Sequence, residues 1–436
     1  MKLGQHAVLL IGALALGVVT NAWAVEGTTG LQSEVDALKA RISEMEETQQ
    51  QSWLTERRAE EVKNLVREVL SDAETRSSLL ESGMYAGHDG ANFFLKSADG
   101  GFLMNVGGLI QSRYVSNDRD DSGADDDENG FEIPRAKIHF SGNIADPRIT
   151  YSLRLNAASN NNNVSAEEIL LGYQLTDTIS AWIGETKAPF LREELTAPSH
   201  QQAVERSTIN EIFTAGYIQG IGLTWDLHDQ VKVAASLSDG AGSGEAATQQ
   251  FDQDTTDYAL TARVDVLLAG DWGQQADFSA WSGEEMAVFV GAAVHDEAGE
   301  SGGADIDSDS WTVDGSIEYN GLSLYAAYVE SDIDGLAATP SGTVVQGGYN
   351  IPVGENSLEP FVRWEELDVD VAGVNETEVL TIGANYYLDG HNAKFTLDVV
   401  MAQDPIPAGN SVTNLLADAA GEDDQTVLRA QFQLLF

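Results

Sequence analysis

Two hydrophobic periods divide this chain. From Leu31 to about Ser82, apolar residues recur at alternating spacings of four and three: Leu31, Val35, Leu38, Ile42 and Met45 make a heptad seam among Glu, Lys and Arg. The seam turns polar between Gln49 and Lys63, resumes at Val66 and Leu70, and meets no Pro or Gly before Gly83. The spacing predicts an α-helical coiled coil over residues 25–82, with a lone amphipathic helix as the alternative. Glycine recurs at Gly83, Gly87 and Gly90, so residues 83–91 read as a flexible linker. Ahead of the seam, Lys2, the apolar run Ala7–Val19 and Ala22-Trp23-Ala24 read as a signal peptide over residues 1–24, the run being shorter than the ~20 residues of a membrane-spanning helix.

After residue 92 the period drops to two. In Phe131–Asn143, Ala136, Ile138 and Phe140 share one face and Arg135, Lys137, His139 and Ser141 the other. In Gln425–Phe436, Leu428, Ala430, Phe432, Leu434 and Phe436 oppose Arg429, Gln431 and Gln433. Similar segments near 101–116, 149–158, 166–175, 179–187, 216–226, 230–238, 257–267, 286–295, 311–320, 322–331, 343–351, 358–367, 379–388 and 392–402 bring the expectation to about sixteen strands. Tight connections at Asp146-Pro147, Thr176-Asp177, Asn320-Gly321 and Asp389-Gly390-His391 alternate with acidic, Gly/Ser/Asp-rich loops at 117–130, 239–255, 296–309 and 403–424. One stretch breaks this rule: Gly270–Glu285, with Trp272 and Trp281, is long where a short turn is expected.

Charge placement decides what kind of β-protein this is. Of the fifteen Lys and Arg after residue 91, nine fall on the polar face of a strand: Arg113, Arg135, Lys137, Arg154, Lys232, Arg263, Arg363, Lys394 and Arg429. The opposite face is apolar. That is inverted for a soluble core and right for lipid outside and water inside, where full backbone pairing forces closure. The fold class expected is therefore all-β, a 16-stranded antiparallel transmembrane β-barrel over residues 92–436, preceded by the coil. The chain has no Cys, which removes disulfides, thiolate catalysis and Cys-ligated zinc. A formal charge of −47 argues against nucleic acid as a partner.

The most informative stretch is Ile169–Trp225. Two short strands, Ile169–Leu175 and Ile179–Glu185, meet at a Thr-Asp turn, and Pro189 ends the second. About twenty-five polar residues precede the next strand, a connection long enough to mark a functional loop. The order strand, Gly184-x-x-Lys187-x-Pro189-Phe190, Glu193-x-Leu195-Thr196, Glu205-Arg206-Ser207, strand resembles the phosphate- and anion-selective porins O and P of Gram-negative outer membranes. The resemblance extends over about residues 92–436 and includes the terminal strand ending in Phe436, similar to the signature by which such barrels are recognised for insertion. It implies an outer-membrane porin passing small hydrophilic solutes or ions, a homotrimer in outer-membrane lipid, and a constriction loop at about 188–214. It also implies that Arg113, Arg135, Lys137 and Arg154 on the wall, with Lys187, Arg192 and Arg206 of the loop, line the pore and bind anions. Fixed guanidinium groups suit that task because they stay charged and offer bidentate hydrogen bonds. The alternative for Arg135 and Arg154 is pairing with inward acids such as Glu132, Glu168 or Asp265, which would brace the wall.

The chain departs from the family in charge: residues 92–436 hold 15 basic and 56 acidic residues, and Asp314, Glu318, Glu365 and Asp398 lie on lumenal faces. An acidic mouth concentrates cations, so the phosphate preference transfers less directly than the fold. Asp118–Glu128 resembles the first half of a calcium loop, but Asn129 holds the position of the closing Glu and strands flank it; a solvated acidic loop is the alternative. Ser199-His200 is an adjacent pair with no motif around it, so no enzyme, cofactor or metal is expected. The rival to a pore is an envelope tether, its coil contacting the cell wall and its barrel serving as an anchor.

Overall fold

The computed structural model describes residues 39–41, 83–89, 92–119, 128–158, 164–243, 256–301, 304–305, 307–333, 338–371, 376–403, 413–416 and 424–436. The chain divides into two units, Met1–Leu79 and Leu80–Phe436. In the first, Lys39, Ala40 and Arg41 are helical. The expected signal peptide and the rest of the expected coil lie outside the described residues, as does most of the calcium-like loop.

The second unit is antiparallel β-sheet. A hairpin of β1 (Met84–His88) and β2 (Phe93–Ser97) comes first, followed by β3 (Phe102–Arg119), β4 (Glu128–Ile144), β5 (Asp146–Asn156), β6 (Ser165–Gln174), β7 (Ile179–Lys187) and β8 (Tyr217–His228). Then come β9 (Val231–Ser238), β10 (Thr256–Ala269), β11 (Ala287–Ser301), β12 (Ala304–Asp305), β13 (Ser308–Tyr319) and β14 (Leu322–Ile333). The last six are β15 (Ser341–Tyr349), β16 (Ile351–Val353), β17 (Asn356–Asp368), β18 (Thr377–Asp389), β19 (Ala393–Ala402) and β20 (Gln425–Leu435). Each wall strand pairs with the next, and β20 closes on β3 from Gln425↔Arg119 to Leu435↔Leu109. Of the twenty strands among the described residues, the hairpin supplies two, and β12 and β16 are short extensions beside β11 and β17, which leaves sixteen in the closed wall. Each corresponds to one of the period-two segments of the sequence.

The alternation is inside-out. On β14, Leu322 and Leu324 face outward and are exposed while Ser323 and Tyr325 are buried inside. On β20, Leu428 and Leu434 are exposed while Arg429, Gln431 and Gln433 are buried. In lipid the outer face needs no polar partner, whereas the inner one must satisfy every polar group it carries. Most turns at one end are short; Asn320 (φ 45°) and Gly321 (φ 91°) make the left-handed pair that a two-residue hairpin of this twist requires.

One expectation is corrected. Residues 83–91 were expected to be a flexible linker, yet Met84–His88 is a strand, because its extended backbone pairs with β2. That hairpin continues the wall along β3 from Phe93↔Val106 to Lys96↔Leu103. It starts just past the point where Phe436 and Gly108 exchange backbone hydrogen bonds of 3.0 and 2.7 Å.

A constriction built by the β7–β8 loop

Residues 188–216 turn inward instead of passing over the rim. Pro189 interrupts the strand ladder, and the loop then makes α1 (Arg192–Leu195), a single 3-10 turn at Pro198–His200, and α2 (Thr208–Phe213). Ser207 caps α2 by accepting from the Asn210 N–H at 2.9 Å, and Glu193 accepts from the Ser207 N–H at 2.7 Å. The loop carries its own apolar face. Phe190, Leu191, Ile209 and Phe213 pack on Tyr325, Val329, Val344 and Leu367 of β14, β15 and β17. A Cβ on Gly342 would sit 2.5 Å from the Ile209 side chain, so only glycine permits this approach of α2 to the wall.

A buried irregular backbone needs partners for its polar groups, and wall side chains supply them. Lys394 donates to the Gln201 carbonyl (2.7 Å), Asn385 to that of Gln202 (2.9 Å), Arg363 to that of Glu205 (2.8 Å) and Gln433 to that of Ser199 (3.1 Å). Asp398 accepts from the Val204 N–H (2.9 Å) and Glu365 from that of Thr208 (2.6 Å). Arg429 in turn holds Asp398 through two nitrogens at 2.8 and 2.7 Å. The loop is thus fastened to the β13–β20 side of the lumen. Across from it, Ser152 and Arg154 of β5 are half-buried, and Thr224 and Asp226 of β8 are exposed. Accessible lumenal surface lies on that side.

The seven basic residues singled out in the sequence separate into three groups. Arg113 and Arg135 both reach Glu205 of the loop; Arg135 does so bidentately, at 2.8 and 2.6 Å, and also donates to Gln111, while Arg113 also pairs with Glu132. Burial and full pairing make these two arginines clamps on the loop. Lys137, Arg154, Lys187 and Arg206 each sit beside a carboxylate: Lys137–Glu167 at 2.6 Å, Arg154–Glu168 at 3.7 Å, Lys187–Glu194 at 2.8 Å and Arg206–Glu194 at 3.4 Å, and Arg206 also donates to the carbonyls of Glu193, Glu194 and Thr196. Arg154 has the longest pairing and the most exposed side chain of the four, 28 % against 12 % or less for the others. Arg192 goes elsewhere. Its guanidinium donates to Ser316 and lies 5.4–5.7 Å from the rings of Phe278, Phe289 and Tyr325.

Of the partners expected for wall arginines, Glu168 does take Arg154, Glu132 takes Arg113 in place of Arg135, and Asp265 belongs to Arg263. Sequence reasoning missed Glu193, Glu194 and Glu205 as the acids that organise the loop. Their signal was present in the Glu193-Glu194 and Glu205-Arg206-Ser207 motifs, but parity arguments apply to strands and say nothing of a loop folded back across a lumen.

A profile of the family described as phosphate-selective porin O and P matches residues 104–436, well over half of the chain. A protein of Aquifex aeolicus (strain VF5), described as uncharacterized, is 23 % identical over 301 residues, an alignment covering 61 % of this chain and 66 % of that protein, just under two thirds of its length. Among solved structures, the anion-selective porin from Comamonas acidovorans aligns with TM-score 0.53 at 12 % identity, over 76 % of this chain and 99 % of that one. Salmonella typhi OmpF in complex with daunomycin aligns with TM-score 0.50 at 14 % identity, over 80 % and 100 %. At such identities the likeness is one of fold: a porin barrel.

Proposed function

We propose that this chain, which belongs to the phosphate-selective porin O and P family, is an outer-membrane channel for passive diffusion of small hydrophilic solutes, with anions among them. The observation that carries the reading is a closed barrel, apolar outside and charged inside, whose β7–β8 loop narrows the lumen while Ser152 and Arg154 of β5 stay half-buried and Thr224 and Asp226 of β8 exposed. Solutes pass through water between the β5–β8 wall and the loop. Transit is biased by Arg154, Lys137, Lys187 and Arg206 against Glu167, Glu168 and Glu194, so the narrow region is close to charge-balanced. Arg154 is the group best placed to meet a passing anion, because the other basic side chains are more completely covered.

The family membership and fold are those of channels; Ser199 is buried, its hydroxyl lies 3.3 Å from His200 Nδ1, and its backbone carbonyl accepts from Gln433. The Leu31–Met45 seam and the family resemblance support a trimer with a periplasmic coil, and a peptide of residues 31–80 is expected to sediment at trimer mass. The test of the channel reading is a planar bilayer with the purified full chain. Stepwise conductance with a reversal potential displaced under a salt gradient is expected; a heat-modifiable barrel that inserts and gives no steps would sink it.

A further inference from the structure

The connection between β10 and β11, residues 270–286, sits at the barrel end where the neighbouring connections, 229–230 and 320–321, are two-residue turns. It neither hangs free nor lies flat against the rim. Its base is stapled: Asp271 and Gln274 form a reciprocal cap on the 3-10 turn Trp272–Ala276, Gln274 donates to the Glu285 carbonyl (3.1 Å), and Trp272 donates to the Asp229 carbonyl (2.8 Å). From there the chain enters the lumen, where Phe278, Ser279 and Ala280 are almost wholly buried. The Ser279 hydroxyl donates to Glu359 (3.1 Å) and lies 2.9 Å from the Tyr387 hydroxyl. Asp277 lies 3.0 Å from His391, and the Trp281 ring packs edge-on against Tyr387. Glu359 and Tyr387 project inward from β17 and β18, the fourth and fifth wall strands beyond β11, so the segment spans a chord of the barrel.

Its tip meets the underside of the β7–β8 loop. The Phe278 N–H points at the His200 carbonyl (3.4 Å), its ring lies 4.6 Å from that of Tyr325 and 5.4 Å from the Arg192 guanidinium, and it shares one apolar cluster with Phe190, Leu191 and Phe213. Two loops from opposite ends of the barrel thus support each other on the same side of the lumen.

We propose that residues 270–286 form a second pore-shaping loop: entering from the short-turn end, they prop the β7–β8 loop against the β13–β19 wall and so fix the cross-section left open along β5–β8. The inference rests on the channel reading. It follows from what withdrawal of the tip would do. Phe278 would leave a cavity beneath Arg192 and Phe190, and Glu359 would lose a donor in a buried setting, so the constriction loop would have room to move. A propped loop gives a steady open level; an unpropped one gives a wider and noisier one.

Two variants of the full-length chain test this in planar bilayers and in liposome swelling with sugars of increasing size. One combines Phe278→Ala with Ser279→Ala; the other replaces residues 276–283 with two glycines. Among heat-modifiable barrels, mean conductance is expected to rise about 1.5- to 2-fold, open-level noise to increase and larger sugars to enter, since conduction is set by pore width and lining. Should the shortened chain fail to fold, the double substitution decides. Folded variants with the conductance, noise and size limit of the unaltered chain would overturn the proposal, whereas absence of steps from the unaltered chain would overturn the channel reading beneath it.

Discussion

At the scale of single residues, Glu205 organises the constriction. It is 2 % exposed, has two guanidinium partners, and lies on a loop that strand parity cannot place. Replacing it by Gln leaves Arg135 without its carboxylate and Arg113 with only Glu132, a change of the kind that costs about 3–5 kcal/mol when a buried pair is broken. Arg154, half-buried and 3.7 Å from Glu168, is a weaker pair, and its loss costs on the order of 0–1 kcal/mol. The two substitutions act with opposite sign on one readout. Glu205→Gln removes the buried negative charge that balances Arg113 and Arg135, leaving net positive charge in the wall of the narrowed lumen, and is expected to move the reversal potential toward anions, with a lower thermal midpoint. Arg154→Gln should move it toward cations and leave the midpoint nearly unchanged. Shifts in the same direction, measured under one salt gradient, would refute the division into clamp and passage residues.

Among elements, the closing seam between β3 and β20 bears most on assembly. Phe436 extends that seam by one backbone pair with Gly108, and its ring lies where a Cβ on Gly108 would have to be. The β1–β2 hairpin then takes over the same edge of β3, so little of that strand is left unpaired. An open edge inside lipid would carry unsatisfied amides, which gives both elements a physical purpose. Deleting Phe436 is expected to lower the fraction of heat-modifiable barrel recovered after refolding or expression; an unchanged fraction would leave Phe436 as an ordinary lipid-facing residue. The strands themselves were readable because a two-residue period survives whenever one face meets lipid and the other water. The hairpin was not, since Met84–His88 gains its strand character only from the neighbour it pairs with.

For the molecule as a whole, two charge sets compete. Residues 92–436 carry 56 acidic and 15 basic residues, and the sequence puts many of the acids in loops rather than on the wall. Loop charges in bulk electrolyte lose their influence over about 8–10 Å at moderate salt, while charges along a narrow passage are less completely screened. Any anion preference contributed by Arg154, Lys137 and Lys187 should therefore grow as salt rises, because the loops are screened first. Reversal potentials at a fixed gradient ratio, taken across increasing mean salt, measure this directly. A pore that becomes steadily more cation-selective with salt would mean that the narrow region itself is dominated by Glu167, Glu168 and Glu194.

The sequence alone determined the barrel, its sixteen strands, which face of each meets lipid, and a long loop after Pro189, whose inward course only the family resemblance implied. These follow from local rules: a period of two, proline at a strand end, and the cost of an unpaired backbone in lipid. Only the tertiary structure decided which acid meets which base, which side of the lumen the loop takes, and that residues 270–286 enter it from the other end. Partners such as Arg135 and Glu205 lie seventy residues apart in the chain, and Gln202 and Glu359 more than twice that. Their meeting is set by closure of the ring and by where an apolar patch on β14, β15 and β17 receives Phe190, Ile209 and Phe213. No pattern along the chain encodes a chord across a barrel.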